Sequence, residues 1–246
     1  MDLIQKLRDS NQLIIGGHRG QLVEGIRENT IATFETILGK NVPYIEVDVQ
    51  LTKDGELVLY HDHDLSLQTS LSGMIRDYTL SELRDVFELT RVEEAIIWAK
   101  QHQLGIAFEL KIHPRKMWHD RDSIGNLLVE LLQKHNFQKD CFVFGTDFAL
   151  LKKVKQADES IPLAVIVPFI PVNPVQLMEG MQADIYLNFA KNLPKELVEE
   201  LQEAGYLVDG SVVNDREGLE LALDLGVDLI ESDFPEELLQ ELEVLQ

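Results

Sequence analysis

Apolar runs of strand length alternate with segments of helical periodicity along the whole 246-residue chain, and this order predicts a (β/α)8 TIM barrel of class α/β. Two further observations agree with a barrel. The length is usual for one barrel domain, and the glycine-rich fingerprints that would favour an open doubly wound sheet are absent from the sequence. We therefore expect one domain over residues 1–246, with the strands ending at a common face.

Eight apolar runs are the predicted strands of this barrel. They lie at Leu13–Gly16, Tyr44–Asp48, Gly105–Leu110, Cys141–Phe144, Leu163–Val167, Asp184–Leu187, Tyr206–Val208 and Asp228–Glu231. The segments between them carry apolar residues three and four positions apart, as amphipathic helices do. Pro194 and Pro235 mark helix starts, and Asn29, Asp147 and Asn214 are predicted to cap helices at their amino ends.

A hairpin is predicted to extend the second strand, because polar and apolar residues alternate on both sides of Asp54-Gly55. With the turn centred on this pair, Asp48 lies opposite His61, and both side chains share a face with Glu46. A one-residue slip would turn His61 to the other face. Residues 62–90 are predicted to form a short insert beside the barrel mouth.

The charge of the chain limits its partners. The 22 basic and 43 acidic residues give a net charge of −21, which argues against nucleic acid or an anionic membrane as the main partner. No apolar stretch reaches the roughly 18 residues that cross a bilayer, and the first residues lack the pattern of a secretory signal. Cys141 is the single cysteine, so we expect a cytoplasmic protein without stable membrane insertion. Composition leaves the oligomeric state open.

Three carboxylates follow the predicted strands at the same rim. Glu46 and Asp48 close the second strand, and Glu109 closes the third. Carboxylates this close either share a proton or hold a cation between them, and we favour the cation. Oxygen ligands suit a hard ion, so the sequence predicts one divalent cation, Mg²⁺ or Ca²⁺, that would contact a phosphoryl oxygen.

Imidazoles and cations accompany this acidic cluster. His18 and His61 are candidates for proton transfer near neutral pH. Arg19 can offer a bidentate fork to a phosphate, and Lys111 a point charge. The combination predicts metal-assisted cleavage of a small-molecule phosphodiester.

The spacing of these residues resembles the glycerophosphodiester phosphodiesterase family of phospholipase-C-like barrels, whose pattern is His-Arg, then Glu-x-Asp, then His. The matching segments here are His18-Arg19, Glu28–Thr30, Glu46–Asp48, Gln50–Gly55, His61, Thr79–Leu83, Glu109–Lys111, Val213–Asp215, Gly226–Asp228 and Ser232–Pro235. The resemblance implies one divalent cation on the three carboxylates, the two histidines as acid and base, and hydrolysis of glycerophosphodiesters to glycerol 3-phosphate and an alcohol. It also implies that Glu28 supports Arg19 in phosphate binding.

The chain departs from the family pattern where the alcohol or glycerol would lie. The loop between Gly20 and Glu28 is more bulky, Leu67 stands where the family has arginine, and Ser211 or a neighbour replaces an aromatic residue. Two alternatives therefore remain: a catalytically reduced phosphodiester-binding or regulatory relative, and a phospholipase-type phosphodiesterase on the same fold. The ion, the released alcohol, the nucleophile and the assignment of acid and base to the two histidines stay open at this point.

Overall fold

A computed structural model describes residues 2–113 and 115–245, and it confirms the (β/α)8 barrel. The predicted end points Met1 and Gln246 lie outside the described residues. The strands are β1 (Ile14–Gly17), β2 (Tyr44–Leu51), β3 (Leu57–Leu59), β4 (Gly105–Leu110), β5 (Cys141–Gly145), β6 (Leu163–Ile166), β7 (Ile185–Leu187), β8 (Leu207–Asp209) and β9 (Leu229–Ser232). Within the described residues, the eight parallel strands follow the order β1, β2, β4 to β9, and pairing of Gly17 with Ile45 closes the barrel.

One helix precedes β1, one lies in the insert at 62–90, one follows β9, and the other helices connect successive strands. They are α1 (Leu3–Arg8), α2 (Ile31–Thr36), α3 (Leu80–Arg84), α4 (Val92–His102), α5 (Arg121–His135), α6 (Phe148–Ala157), α7 (Pro174–Met181), α8 (Lys195–Glu203), α9 (Arg216–Leu225) and α10 (Pro235–Leu245). Short 3₁₀ helices lie at Leu65–Leu67, Ile75–Asp77 and Ala190–Asn192. In the part of the chain that the structure describes, no helix has both the length and the apolar character needed to cross a bilayer.

The amino-terminal end of the barrel is plugged by α1. Leu3, Ile4 and Leu7 are buried in one cluster with inward side chains such as Tyr44 and Phe142. The plug fits because β4 begins with glycine: a Cβ at Gly105 would lie 2.8 Å from a methyl group of Leu3. With this end filled by apolar side chains, the open end is the one where the parallel strands terminate.

The predicted hairpin forms, but its predicted register is wrong by one residue. Tyr60, not His61, lies opposite Asp48 and donates its N–H to the Asp48 carbonyl oxygen at 2.9 Å. The cause is a three-residue loop in place of a two-residue turn: Gly55 takes a left-handed φ of 87°, and Thr52 N–H donates to Glu56 O at 3.0 Å. His61 therefore follows the paired part of β3.

The insert at 62–90 packs against the hairpin through a small core of its own. Its buried side chains are Val58, Tyr60, Leu65, Ile75, Leu83 and Leu89. The segment is thus held by apolar contacts, and it begins with Asp62, directly after His61, at the barrel rim.

Candidate active site

The three predicted carboxylates meet inside the open end of the barrel. Glu46 and Asp48 are two residues apart on β2 and therefore face the same side, and Asp48 is the register partner of Glu109 on β4. Oxygen atoms of all three lie within 4.8 Å of one another. Glu46 and Asp48 are only 1% exposed, so the cluster is largely withdrawn from water.

Burial and neighbouring charges shift the pKa values of the three carboxyl groups in different directions. Burial, reinforced by the Asp48 charge, raises the pKa of Glu46 well above its ordinary value. Burial also raises the pKa of Glu109, against the opposing effect of Lys111. For Asp48, burial is outweighed by Lys111 and Arg19, and the pKa is lowered. Negative charge is therefore most stable on Asp48, between two cations.

The donor set fits a hard divalent cation. Glu46 Oε1 and Asp48 Oδ1 are buried and accept no hydrogen bond from any described residue. A carboxylate oxygen that has lost its water without gaining a hydrogen bond is poorly stabilised, and a bound ion would supply the missing partner. Lys111 Nζ lies 3.1 Å from Glu109 Oε1 and 3.4 Å from Asp48 Oδ1, so it pairs with two of the three carboxylates.

Arg19 is fixed among acidic groups by an unusual backbone conformation. Its φ of 53° is left-handed, and its N–H donates to Glu46 Oε2 at 3.0 Å. The side chain places Nε 3.3 Å from Asp48 Oδ2 and Nη1 3.1 Å from Glu28 Oε2. Glu28 thus lies beside Arg19, as the resemblance implied. The guanidinium is oriented before any phosphate arrives.

Each histidine carries a carboxylate on its Nδ1 atom. His18 Nδ1 lies 2.6 Å from Asp233 Oδ1, and His61 Nδ1 lies 2.9 Å from Asp62 Oδ1. The Nε2 atom of His18 lies 3.8 Å from Glu46 Oε2, at the edge of the acidic cluster. A carboxylate on Nδ1 fixes the tautomer and the ring plane, which leaves Nε2 for chemistry in both rings.

His61 reaches the site because a buried glutamine holds the chain around it. Gln50 shares the inward face of β2 with Asp48, and its Nε2 donates to the carbonyl oxygens of Tyr60 at 2.7 Å and Asp62 at 2.9 Å. The charge of His61 lowers the pKa of Asp48, behind the larger effects of Lys111 and Arg19. Although the hairpin register differs from the prediction, His61 still lies at the rim, because Gln50 holds the backbone on both sides of it.

Two asparagines that the sequence predicts as helix caps belong to the site instead. Asn29 Nδ2 donates to Asp48 Oδ2 at 2.8 Å, and Asn214 Nδ2 donates to Asp233 Oδ2 at 2.6 Å. The caps of α2 and α9 are the next residues, Thr30 and Asp215. One sequence signal could have shown that these asparagines are free to bind in the site: each directly precedes a residue that caps a helix amino end equally well.

The interior beneath the β8–β9 side of the mouth is also polar, which sequence analysis missed. Asp209 is fully buried and accepts the N–H of Ser211 at 2.8 Å, while Ser211 Oγ accepts the N–H of Glu231 at 2.6 Å. Burial raises the pKa of Asp209 to about 7 and raises that of Glu231 well above its ordinary value. Through these two hydrogen bonds Ser211 ties the β8 and β9 segments together.

Comparison with known proteins gives concordant matches over most of the chain. The model of the glycerophosphoryl diester phosphodiesterase family matches residues 18–237. A glycerophosphodiester phosphodiesterase of Caldanaerobacter subterraneus subsp. tengcongensis is 27% identical, covering 92% of this chain and 96% of its own. One of Bacillus altitudinis is 28% identical, with coverages of 90% and 95%. An Oleispira antarctica phosphodiesterase, solved with the product sn-glycerol-3-phosphate, has a TM-score of 0.83 at 23% identity, with coverages of 94% and 97%.

Proposed function

Because this chain belongs to the glycerophosphoryl diester phosphodiesterase family and is accordingly a phosphodiesterase, we propose that it hydrolyses glycerophosphodiesters to glycerol 3-phosphate and an alcohol with the aid of a divalent cation. The observation that carries the proposal is the arrangement at the open end of the barrel. Two buried carboxylates and a third that is partly buried lie beside two imidazoles, and each imidazole is paired with its own carboxylate.

Glu46, Asp48 and Glu109 are the residues that would hold the cation. Their all-oxygen donor set suits Mg²⁺ or Ca²⁺. When bound there, such an ion supplies positive charge against the negative charge that develops on the phosphoryl oxygens. The buried Glu46 carboxylate, whose pKa is raised by burial, would also gain a partner for Oε1, which accepts no hydrogen bond from a described residue.

Arg19 and Lys111 would bind the phosphate from two sides of the cluster. The chain carries a net charge of −21, so an anionic substrate meets a repulsive field until it reaches these cations. Glu28 and Asp48 fix the Arg19 guanidinium in place, which reduces the entropy lost when a phosphate is bound.

His18 and His61 would carry the proton transfers. One imidazole takes the proton from the attacking hydroxyl or water, and the other donates a proton to the departing alcohol oxygen. Asp233 and Asp62 keep Nδ1 of each ring engaged, so that the proton moves at Nε2.

The test is an alcohol-release assay over several glycerophosphodiesters, with and without a chelator and with Mg²⁺, Ca²⁺ or Mn²⁺ added back. We expect release to stop with the chelator and to return with at least one of the ions. Turnover that ignores the chelator would contradict the cation, and binding of glycerophosphocholine without choline release would contradict hydrolysis.

A further inference from the structure

Two histidines that the proposed function does not use lie side by side at the mouth. His63 follows His61 by two residues, and His113 follows Lys111 by two residues, so each ring lies just beyond a residue of the catalytic rim. The ring centroids of His63 and His113, here called the imidazole pair, are 5.3 Å apart. The insert and the loop after β4 therefore meet at this pair.

Both rings of the imidazole pair keep Nε2 free. His113 Nδ1 accepts the N–H groups of Arg115 at 3.3 Å and Lys116 at 3.4 Å, so Nε2 carries the proton of the neutral ring and is a donor at any pH. His63 Nδ1 is buried without a partner. The two Nε2 atoms have no hydrogen bond to a described residue and are not buried, so they are open to a ligand from solution.

The surroundings of the imidazole pair carry positive charge. Burial, together with the charges of Lys111 and of the two neighbouring imidazoles, lowers the pKa of His63. Arg115 and Lys116 are exposed, and their side chains form no ion pair with a described residue. A negatively charged ligand would therefore find both hydrogen-bond donors and unpaired cations at this place.

Two carboxylates near the imidazole pair are engaged elsewhere. Asp62 Oδ1 pairs with His61 Nδ1 at 2.9 Å, and Asp64 Oδ1 accepts the N–H of Ser66 at 3.0 Å, where it caps the helix Leu65–Leu67. Because neither carboxylate is bonded to the pair within the described residues, both leave its Nε2 atoms open to an anion from outside.

The sequence concentrates positive charge in the loop after β4. The chain has 43 acidic and 22 basic residues, yet residues 110–119 contain three basic residues, two histidines and no acidic residue. A loop that merely crossed the surface of this chain would be expected to carry acids like the rest of it. Positive potential is thus placed directly beside the phosphate-binding part of the site.

The same loop is held in place by the insert. Arg76 Nη1 donates to the Lys116 carbonyl oxygen at 2.8 Å and forms an ion pair with Asp120. The N–H of His113 donates to the sulfur of the buried Met117 at 3.4 Å. Since the backbone that presents these groups is already ordered, less entropy is lost when a ligand binds to them.

The imidazole pair is within reach of a substrate whose phosphate lies at the acidic cluster. His113 is two residues beyond Lys111, so at most about 7 Å of chain separates them. A phosphodiester held by Arg19 and Lys111 can therefore place the far end of its alcohol beside the pair when that alcohol is about the size of a sugar ring.

We propose that the imidazole pair, with Arg115 and Lys116, binds a second phosphate group carried by the alcohol of the glycerophosphodiester. These four residues are called the rim cluster below. The inference rests on the proposed function and names its preferred substrates as those whose head group bears a phosphate monoester. In the overall reaction a water hydroxyl is added to phosphorus, the bond from phosphorus to the alcohol oxygen breaks, and that oxygen takes the remaining proton. The products are glycerol 3-phosphate and a phosphorylated alcohol.

The first test compares glycerophosphoinositol with glycerophosphoinositol 4-phosphate, which differ by one phosphate group and both release glycerol 3-phosphate. At saturating cation we expect kcat/KM to be about tenfold or more higher for the 4-phosphate, since hydrogen bonds to a charged group strengthen binding. The net charge of −21 alone favours the opposite order, because it repels the more anionic substrate. Equal values, or a lower value for the 4-phosphate, while glycerophosphoinositol is hydrolysed, would overturn the inference and leave the proposed function standing.

The second test uses the double variant His63→Ala, His113→Ala. We expect its kcat/KM for the 4-phosphate to fall about tenfold further than its kcat/KM for glycerophosphoinositol. His102→Ala, at an exposed position on α4, should leave both values at those of the parent protein. An equal loss on both substrates would overturn the inference.

A second double variant, Arg115→Gln with Lys116→Gln, changes exposed side chains only and leaves the imidazole pair intact. We expect the ratio of the two kcat/KM values to fall about threefold, as is usual for exposed charges. Lys152→Gln with Lys195→Gln, at exposed positions on α6 and α8, removes the same charge and should keep the parent ratio. A parent ratio in the Arg115 and Lys116 variant would overturn the assignment of these two residues.

Calorimetric binding of inositol 1-phosphate and inositol 1,4-bisphosphate measures the rim cluster without turnover. We expect the parent protein and the His102→Ala control to bind the bisphosphate about tenfold or more tightly than the monophosphate, and the His63→Ala, His113→Ala variant to bind both alike. If no glycerophosphodiester is hydrolysed but this difference is found, the proposed function fails and the assignment of the rim cluster stands. Equal binding of the two probes by the parent protein would overturn that assignment.

Discussion

The mouth of this barrel has two unlike halves. Around β1, β2 and β4, Arg19 and Lys111 lie beside a cluster of three carboxylates, two of them buried. Around β6, β7 and β8, the loops are apolar and the segment 160–178 carries no charge. The charged half is the one that would hold a phosphodiester under the proposed function, whereas the other half exposes large apolar side chains. Changes in the two halves should therefore have different consequences.

The strongest way to break this comparison is to remove a carboxylate from the charged half. We expect Asp48→Asn to lower kcat/KM by about 10³-fold or more, because a cation held there contributes several kcal/mol to the transition state. The effect should appear on every glycerophosphodiester, with or without a second phosphate group. Steady-state alcohol release measures it.

The same substitution leaves Arg19 and Lys111 with one buried partner fewer, so folding must be checked by circular dichroism before rates are compared. Glu109→Gln is the second variant. Because the Glu109 side chain is 20% exposed, its replacement leaves Lys111 less deeply buried without a partner. A folded Asp48→Asn protein with the parent rate would contradict the charged half as the place of reaction.

The two imidazoles sharpen the comparison within the charged half. We expect His18→Ala and His61→Ala each to lower kcat by a factor of about 10² or more while the fold survives, since each removes a proton-transfer group. Asp233→Asn should cost less, about tenfold, because it disturbs only the orientation of His18. His102→Ala, at an exposed position on α4, is the control. A near-normal rate in either histidine variant would remove that residue from the reaction.

The charged half could largely be predicted from the sequence, for a physical reason. Parallel strands end at one rim and side chains alternate along a strand, so Glu46, Asp48 and Glu109 had to converge once the strands were located. The hairpin register was predicted wrongly, because the loop holds one residue more than the predicted turn. With Gly55 in a left-handed conformation in that loop, every pair across the hairpin shifts by one position. Local periodicity therefore predicts which face of a strand a side chain occupies better than it predicts which residue lies opposite on the next strand.

The apolar half and the supporting residues could not be predicted in this way. Phe169 and Ile170 continue an apolar run that looks like strand, and only the end of β6 at Ile166 exposes them. Asn29 lies 19 residues from Asp48, and Asn214 lies 19 residues from Asp233. Such contacts depend on where loops fold back, and no local pattern encodes that.

A smaller effect is expected from Gln50, which connects the hairpin to the charged half. In Gln50→Leu the donors to the Tyr60 and Asp62 carbonyl oxygens are lost, so His61 moves out of position. We expect kcat to fall about tenfold while KM changes less, since misplacement affects the transition state most. The nuclear magnetic resonance signal of the His61 ring should shift as well. Gln133→Leu, on the exposed side of α5, is the control, and an unmoved His61 signal would contradict this positioning role.

The smallest expected effect concerns the stability of the apolar half, whose interior holds Asp209. Burial raises its pKa in the native state to about 7, from an ordinary value of 3.8, so the native state binds this proton more tightly than the unfolded state does. Stability contributed by Asp209 is therefore complete below about pH 4 and falls as the pH rises to about 7. Asp209→Asn abolishes this loss.

We expect the variant to match the parent near pH 4 and to exceed its free energy of unfolding by about 1 kcal/mol or more at pH 8, measured by urea titration. The exposed Asp224→Asn variant is the control for introducing asparagine. A stability difference that stays constant between these pH values would show that Asp209 keeps its charge, and that the two halves of the mouth are less different than their surfaces indicate.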